Sequence, residues 1–133
     1  MTVLEETRQL FLATTGWVER YSHIVDLASR LPVMPDDLKT PDNRVACAST
    51  IYFSVAAEGD RLRVRAYANT AIPSGLAALL VGTFDGVPLA DAPRLLSDLS
   101  SFLHESELLD NLTPPRRAAL LAMIERVRLF NKS

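Results

Sequence analysis

The fold is decided by the stretch Ile51-Tyr-Phe-Ser-Val-Ala-Ala-Glu-Gly-Asp-Arg-Leu-Arg-Val-Arg-Ala-Tyr-Ala68. Apolar residues take alternate positions on both sides of Glu58-Gly59-Asp60, which is the pattern of two half-buried strands joined by a tight turn. The stretch therefore predicts an antiparallel hairpin. Its inward positions are Ile51, Phe53 and Val55 in the first strand and Leu62, Val64 and Ala66 in the second.

Segments with helical periodicity come before and after this hairpin in the sequence. We therefore expect an α+β protein with helices packed around a small antiparallel sheet. Apolar side chains recur at helical spacing in four segments, and Pro88 to Ser106 suggests short helical pieces. Thr113-Pro114 is a good helix start, because threonine can cap free N–H groups and proline lacks one. The four stripes are Leu4 to Thr14, then Tyr21, Ile24, Val25, Ala28 and Leu31, then Ile72 to Phe84, and finally Leu120, Ile124 and Val127.

Size and charge exclude several classes of protein. A chain of 133 residues is expected to be one domain over residues 1–133. The net charge of −2 offers no basic field for a nucleic-acid backbone. The longest apolar run, Leu76–Val81, is far shorter than the roughly 20 residues of a membrane helix, and the first residues lack a signal-peptide pattern. We therefore expect a cytoplasmic protein that binds neither nucleic acid nor membrane.

Most site chemistries find no support in the sequence. His23 and His104 are isolated, which argues against a metal site. Ser97, His104 and Asp110 could form a hydrolase triad on paper, but there is no GxSxG motif to expose the serine. Asp36-Asp37 fits a solvated turn better than an acid/base pair, and no glycine-rich phosphate loop occurs. An autonomous enzyme is not expected.

Cys47 is the remaining candidate. It is the chain's one cysteine, so neither an intramolecular disulfide nor a thiolate metal cage is possible. A lone cysteine is most often a buried small hydrophobe. Here, however, it follows a polar, proline-rich loop, lies between two alanines, and has Arg44 close in sequence. Small neighbours leave the sulfur accessible, and a nearby positive charge favours the nucleophilic thiolate.

Four features occur in a recognisable order. Trp17-Val-Glu-Arg-Tyr21 leads through a helix to Arg30-Leu-Pro32, and the lone cysteine then opens a strand. Arg65-Ala-Tyr-Ala-Asn-Thr-Ala-Ile-Pro-Ser-Gly-Leu76 follows, and the chain closes with Leu112-Thr-Pro-Pro-Arg116 and Ala122-Met-Ile-Glu-Arg-Val-Arg128. This ordered set, which spans nearly the whole chain, resembles the SufE-like sulfur-acceptor family.

The resemblance implies a fold shared with iron–sulfur cluster scaffold proteins, and it implies a partner. In that family a pyridoxal-phosphate cysteine desulfurase forms a persulfide, and the acceptor's cysteine takes the sulfur from it. Cys47 would be that nucleophile, and would pass the sulfur on to an iron–sulfur cluster scaffold. The chain itself would then be an accessory sulfur-transfer protein without a cofactor, since the pyridoxal phosphate belongs to the desulfurase.

The sequence departs from the family pattern around the site. The family usually has Gly-Cys-Gln-Ser where this chain has Ala46–Ser49, and the approach to the cysteine is one residue shorter. The family's aspartate before the following helix is Asn69, and its basic residue before the glycine is Ser74. Gly75 and Arg116 match the family. The resemblance implies supporting or partner-contact roles for Arg116, Asn69 and Gly75, and the sequence adds Arg44.

Two alternatives stay open at this point. The first is a non-carrier adaptor that binds and regulates a cysteine desulfurase through the same fold. The second is a structural domain in which Cys47 is merely packed. The Cys47 thiol distinguishes both alternatives from a sulfur carrier, because only a sulfur carrier needs it.

Overall fold

The computed structural model of the protein describes residues 2–45 and 49–132. In this part of the chain there are five helices and one two-stranded antiparallel sheet, which confirms the predicted α+β class. Short 3-10 turns connect several of these elements. In chain order the elements are α1 (Val3–Ala13), α2 (Trp17–Leu27), β1 (Ile51–Glu58), β2 (Arg61–Ala68), α3 (Ala71–Phe84), α4 (Ala92–Ser106) and α5 (Pro114–Lys132).

The predicted hairpin forms, and its strands pair up to Glu58 and Arg61 on either side of the turn. β1 and β2 pair so that Ile51 lies opposite Ala68 and Val55 opposite Val64. Gly59 adopts a φ of 64° at the turn, a left-handed conformation that glycine reaches without steric cost. The side chains of Ile51, Phe53, Leu62, Val64 and Ala66 are buried, as the alternation predicted, and Val55 is half-buried.

Irregular backbone covers both outer edges of the sheet. Beside β1, the N–H of Val45 donates to the carbonyl oxygen of Ile51 at 2.9 Å. Beside β2, the N–H of Leu62 donates to the carbonyl oxygen of Val87, and the N–H of Gly86 donates to that of Leu62, both at 2.8 Å. These bonds occupy edge groups that would otherwise be open to pairing with another chain. The chain just before Cys47 is thereby joined to the edge of β1.

Helix α3 lies at the centre of the molecule. Every residue from Leu76 to Val81 is buried, and the helix packs against α1, α2, α5 and β2. A helix that is apolar around its whole circumference is stable only when neighbours cover all its faces. The predicted buried stripe from Ile72 to Phe84 is confirmed, and the structure widens it to nearly the full circumference.

Two helix predictions were wrong in detail. Pro88 to Ser106 contains one 15-residue helix, α4, after a 3-10 turn at Leu89–Asp91. Pro93 does not break it, because it lies in the first turn, where its missing N–H is not needed. On α2 the buried residues are Ile24 and Leu27, three positions apart on one face of the helix, whereas Val25 lies beside that face and is 37% exposed.

In residues 2–45 and 49–132 no helix combines the length and apolar character needed to cross a bilayer.

Candidate functional site

Cys47, the predicted reactive residue, lies outside the described residues, so the candidate site is defined by the chain on either side of it. On the near side Val45 is buried and is hydrogen-bonded to Ile51. On the far side the Ser49 hydroxyl oxygen lies 3.1 Å from that of Thr70, which donates to it. Both flanks of Cys47 are therefore attached to the end of the sheet where β1 begins and β2 ends.

Asn69 attaches the far flank through two hydrogen bonds. The N–H of Thr50 donates to Asn69 Oδ1 at 3.0 Å, and the N–H of Asn69 donates to the carbonyl oxygen of Thr50 at 3.1 Å. The first bond requires a side-chain oxygen acceptor, which an amide and a carboxylate both provide. Asparagine can therefore form the same hydrogen bond at a position where the SufE-like family usually has aspartate.

Arg44 bridges the two flanks. Its guanidinium carbon lies 5.7 Å from the centre of the Tyr52 ring, and its Nη2 is 3.4 Å from the carbonyl oxygen of Ser49. The side chain is exposed, so its charge stays partly hydrated. The arginine expected from the sequence to lie near the cysteine thus contacts the backbone on its far side.

Arg126 is a site residue that the sequence analysis missed. From α5 its Nη1 donates to the carbonyl oxygens of Asp42 and Phe53, both at 3.1 Å, and its Nη2 donates to that of Arg44 at 2.6 Å. One guanidinium group thus joins the last helix, the loop before Cys47 and strand β1. Its planar array of donors suits such multiple bonding.

No spacing rule could have identified Arg126. It stands in the terminal-helix segment Ala122–Arg128 with other arginines nearby, and its acceptors are between 73 and 84 residues away in sequence. The acceptors are backbone carbonyls, which every residue has. The contact depends on where α5 docks.

Arg116 and Gly75 lie in helices α5 and α3 and are not part of the flanks of Cys47. Arg116 is in the first turn of α5, ten residues before Arg126, which corresponds to about 15 Å along a helix axis. Its guanidinium forms no hydrogen bond or ion pair with the described residues, whereas that of Arg117 donates to the carbonyls of Leu109 and Leu112. Gly75 lies where α3 crosses α2. The roles predicted for Arg116 and Gly75 stay predictions.

The chemistries rejected from the sequence gain no geometric support. Ser97 and His104 are seven residues apart on α4, roughly 10 Å along the axis, which is too far for a nucleophile–base hydrogen bond. His23 Nε2 lies 3.1 Å from the hydroxyl oxygen of Thr14. Among the residues that the structure describes, no three His, Cys, Asp or Glu side chains come together as metal ligands.

The Arg126 contacts lead to a stability prediction. Replacing Arg126 with alanine is expected to lower the free energy of unfolding by about 2 kcal/mol, because hydrogen bonds from a charged donor are lost and carbonyl groups are left unpaired. Urea denaturation of both proteins measures the difference.

Arg128→Ala is the matched control on the same helix. Arg128 is exposed and pairs with Glu125 one turn away, so its loss should cost no more than about 0.5 kcal/mol. Equal losses for the two variants would mean that Arg126 does not hold the three segments together.

Comparisons with known proteins agree with this geometry. The chain matches the family described as SufE, Fe-S metabolism associated domain, over residues 5–130. It is 26% identical to an uncharacterized SufE-like protein of Rhizobium etli over 96% of this chain and 88% of that protein. It is 28% identical to an uncharacterized SufE-like protein of Rhizobium meliloti over 96% of this chain and 94% of the relative.

A solved structure has the same fold. The solution structure of a hypothetical protein from Thermus thermophilus superposes with a TM-score of 0.70 and 22% identity. The alignment covers 98% of this chain and 97% of that protein. At this identity the likeness establishes a shared arrangement of helices and hairpin.

Proposed function

Because the chain belongs to the SufE family, whose domain is associated with Fe-S metabolism, we propose that it is the sulfur acceptor and activator of a cysteine desulfurase. Cys47 takes persulfide sulfur from the desulfurase and passes it on for iron–sulfur cluster assembly. The observation that carries this proposal is the attachment of both flanks of the one cysteine to the same end of the hairpin. The residues on both sides of the proposed nucleophile are therefore held by hydrogen bonds.

The transfer is a thiol exchange. The Cys47 thiolate attacks the outer sulfur of the persulfide on the desulfurase's cysteine, and a new S–S bond forms. The S–S bond of the donor persulfide breaks, and its electron pair stays on the desulfurase's cysteine as a thiolate. The oxidation level of the moving sulfur is unchanged, so the step needs no oxidant or reductant.

Residues of this chain favour the anionic forms of Cys47. Thiolates and persulfides are stabilised by nearby positive charge, and Arg44 is three residues before the cysteine. Arg126 adds a second cation beside that segment, 2.6 Å from the carbonyl oxygen of Arg44. Asn69 holds the following residues through Thr50. These contacts support a positioned thiolate.

The cofactor chemistry takes place on the partner. Pyridoxal phosphate belongs to the desulfurase, and this chain acts as an accessory protein that receives the sulfur. The recipient of the Cys47 persulfide would be a cluster scaffold. We place the reaction in the cytoplasm, where cellular reductants keep a free thiol such as Cys47 reduced.

Intact-mass analysis tests the proposal directly. The protein is mixed with candidate cysteine desulfurases and free cysteine, and a gain of about 32 Da per transferred atom is expected, reversed by reductant because a persulfide is a reducible S–S bond. Peptide mapping should place the added sulfur on Cys47, and omission of free cysteine should prevent it. A protein that binds and stimulates a desulfurase with no mass gain would contradict the carrier function.

A further inference from the structure

The outer face of the hairpin carries two tyrosines flanked by two cations. Tyr52 and Tyr67 are register partners, so their side chains project from the same face of the sheet, opposite to the buried core. The ammonium group of Lys39 lies 4.4 Å from the centre of the Tyr67 ring, and the Arg44 guanidinium lies over the Tyr52 ring. Each of the two rings therefore has one cation against it.

Further cations follow along β2 on the same face. Arg61, Arg63 and Arg65 alternate with the buried residues of that strand, and the first two are exposed. Arg65 is neutralised by Asp85 at 3.0 Å. The ion pair of Arg63 with Glu58 is loose at 3.7 Å, with half or more of both side chains exposed.

The charge of this face contrasts with that of the whole protein. Five of the chain's 14 basic residues lie on it, although the chain has 16 acidic residues and a net charge of −2. Three carboxylates pair with these cations, those of Asp36, Glu58 and Asp85. An excess of positive charge remains, mainly from Arg44 and Arg61.

We propose that this tyrosine–cation face docks an acidic surface of the cysteine desulfurase, an inference that rests on the proposed function. Tyrosine and arginine are the residue types that most often dominate the binding energy of protein interfaces. Three of the five cations are already paired with carboxylates, so the face has few free charges and fits the localised carboxylates of a protein better than the continuous charge of a phosphate backbone. The partner surface should place carboxylates opposite Lys39 and Arg44 around a flat apolar contact for the rings.

The position of the face suits delivery of sulfur. Its tyrosine pair lies at the end of the hairpin where β1 begins, and the flanks of Cys47 are attached at that same end. A desulfurase bound to Tyr52 and Tyr67 therefore lies next to the flanking residues of the acceptor cysteine. The contact also orients the two proteins before the sulfur moves.

Charge reversal on this face is the first part of the test. The double variant Lys39→Glu, Arg63→Glu is compared with Arg8→Glu, Arg94→Glu, whose arginines line the groove between α1 and α4. Both pairs change the net charge equally, and each arginine or lysine has a nearby carboxylate partner. We expect the dissociation constant for the desulfurase to rise at least tenfold in the first variant and less than twofold in the second.

Hydroxyl-radical footprinting locates the contact. Oxidation of Tyr67, which is 37% exposed, should fall several-fold in the complex. Leu12 and Val18, which are 79% and 81% exposed on another part of the molecule, should be unaffected and serve as internal references.

The outcomes separate this inference from the proposed function. If both double variants bind like wild type and Tyr67 stays reactive, the face is not the docking surface, even where Cys47 gains sulfur. If the face variant loses binding but wild-type protein gains no sulfur, the docking surface stands and the carrier function fails. If wild-type protein binds no desulfurase, both are overturned.

Discussion

Replacing Cys47 with serine is expected to abolish the sulfur-sized mass gain completely. A serine hydroxyl is not ionised near neutral pH and cannot replace a thiolate in exchange with a persulfide. The chain has no second cysteine to take over the reaction. The measurement is the intact mass of Cys47→Ser protein after incubation with desulfurase and free cysteine, beside the wild type.

Binding and desulfurase turnover should be measured on the same variant, because they distinguish a carrier from an adaptor. A carrier stimulates turnover by removing sulfur, so Cys47→Ser should still bind yet lose the stimulation. An adaptor needs only the docking surface, and its serine variant would bind and alter the desulfurase as well as the wild type does. That second result would remove the carrier proposal and favour regulation without sulfur transfer.

Replacing Gly75 with alanine is expected to destabilise the protein by about 3 kcal/mol, the upper part of the usual range for overpacking. A Cβ atom at this position would lie 1.9 Å from the carbonyl oxygen of Ile24 and 2.6 Å from its carbonyl carbon. These are backbone atoms of α2, so no side-chain rotation can relieve the overlap. Helices α2 and α3 would have to separate, and the gain of about 1 kcal/mol in helix propensity would not offset this.

Gly16→Ala is the matched control, because it makes the same glycine-to-alanine replacement at an open position. Gly16 lies at the N-cap of α2 in an extended conformation, and a Cβ atom there meets nothing within 4 Å. Its replacement should cost no more than about 1 kcal/mol, the usual scale of a cap substitution. Chemical denaturation of the two variants gives both values. A Gly75→Ala protein as stable as Gly16→Ala would mean that α3 does not approach α2 this closely.

This close approach bears on the predicted role of Gly75. Gly75 matches the pattern of the SufE family, which suggested a supporting role. The structure supplies a physical reason for a glycine here, because α2 and α3 cross at this position. The contact with Ile24 joins residues 51 positions apart. The sequence has no marker for it, since a glycine in a helical pattern indicates weakness as readily as close packing.

Local patterns predicted the secondary structure well where one face of an element is buried. The hairpin residues alternate because one face of the sheet packs on the core, and α3 is apolar because it is enclosed. The prediction of short helical pieces over residues 88–106 was wrong, because Ala92–Ser106 forms one continuous helix that contains Pro93 in its first turn. A proline in the first turn fits the start of a helix.

The amino-acid sequence was enough to predict the α+β class, the hairpin with its alternating buried residues, and Cys47 as the one residue able to carry thiol chemistry. These follow from alternation, turn residues and composition, which are local or can be counted. Tertiary structure decided that Arg126 holds the approach to Cys47, that Asn69 holds its exit, and that Lys39 and Arg44 flank one tyrosine pair. The Asn69 contact depends on the pairing of β1 with β2, and the others depend on how α5 and the loop before Cys47 pack on the sheet, so none of them follows from the local sequence alone.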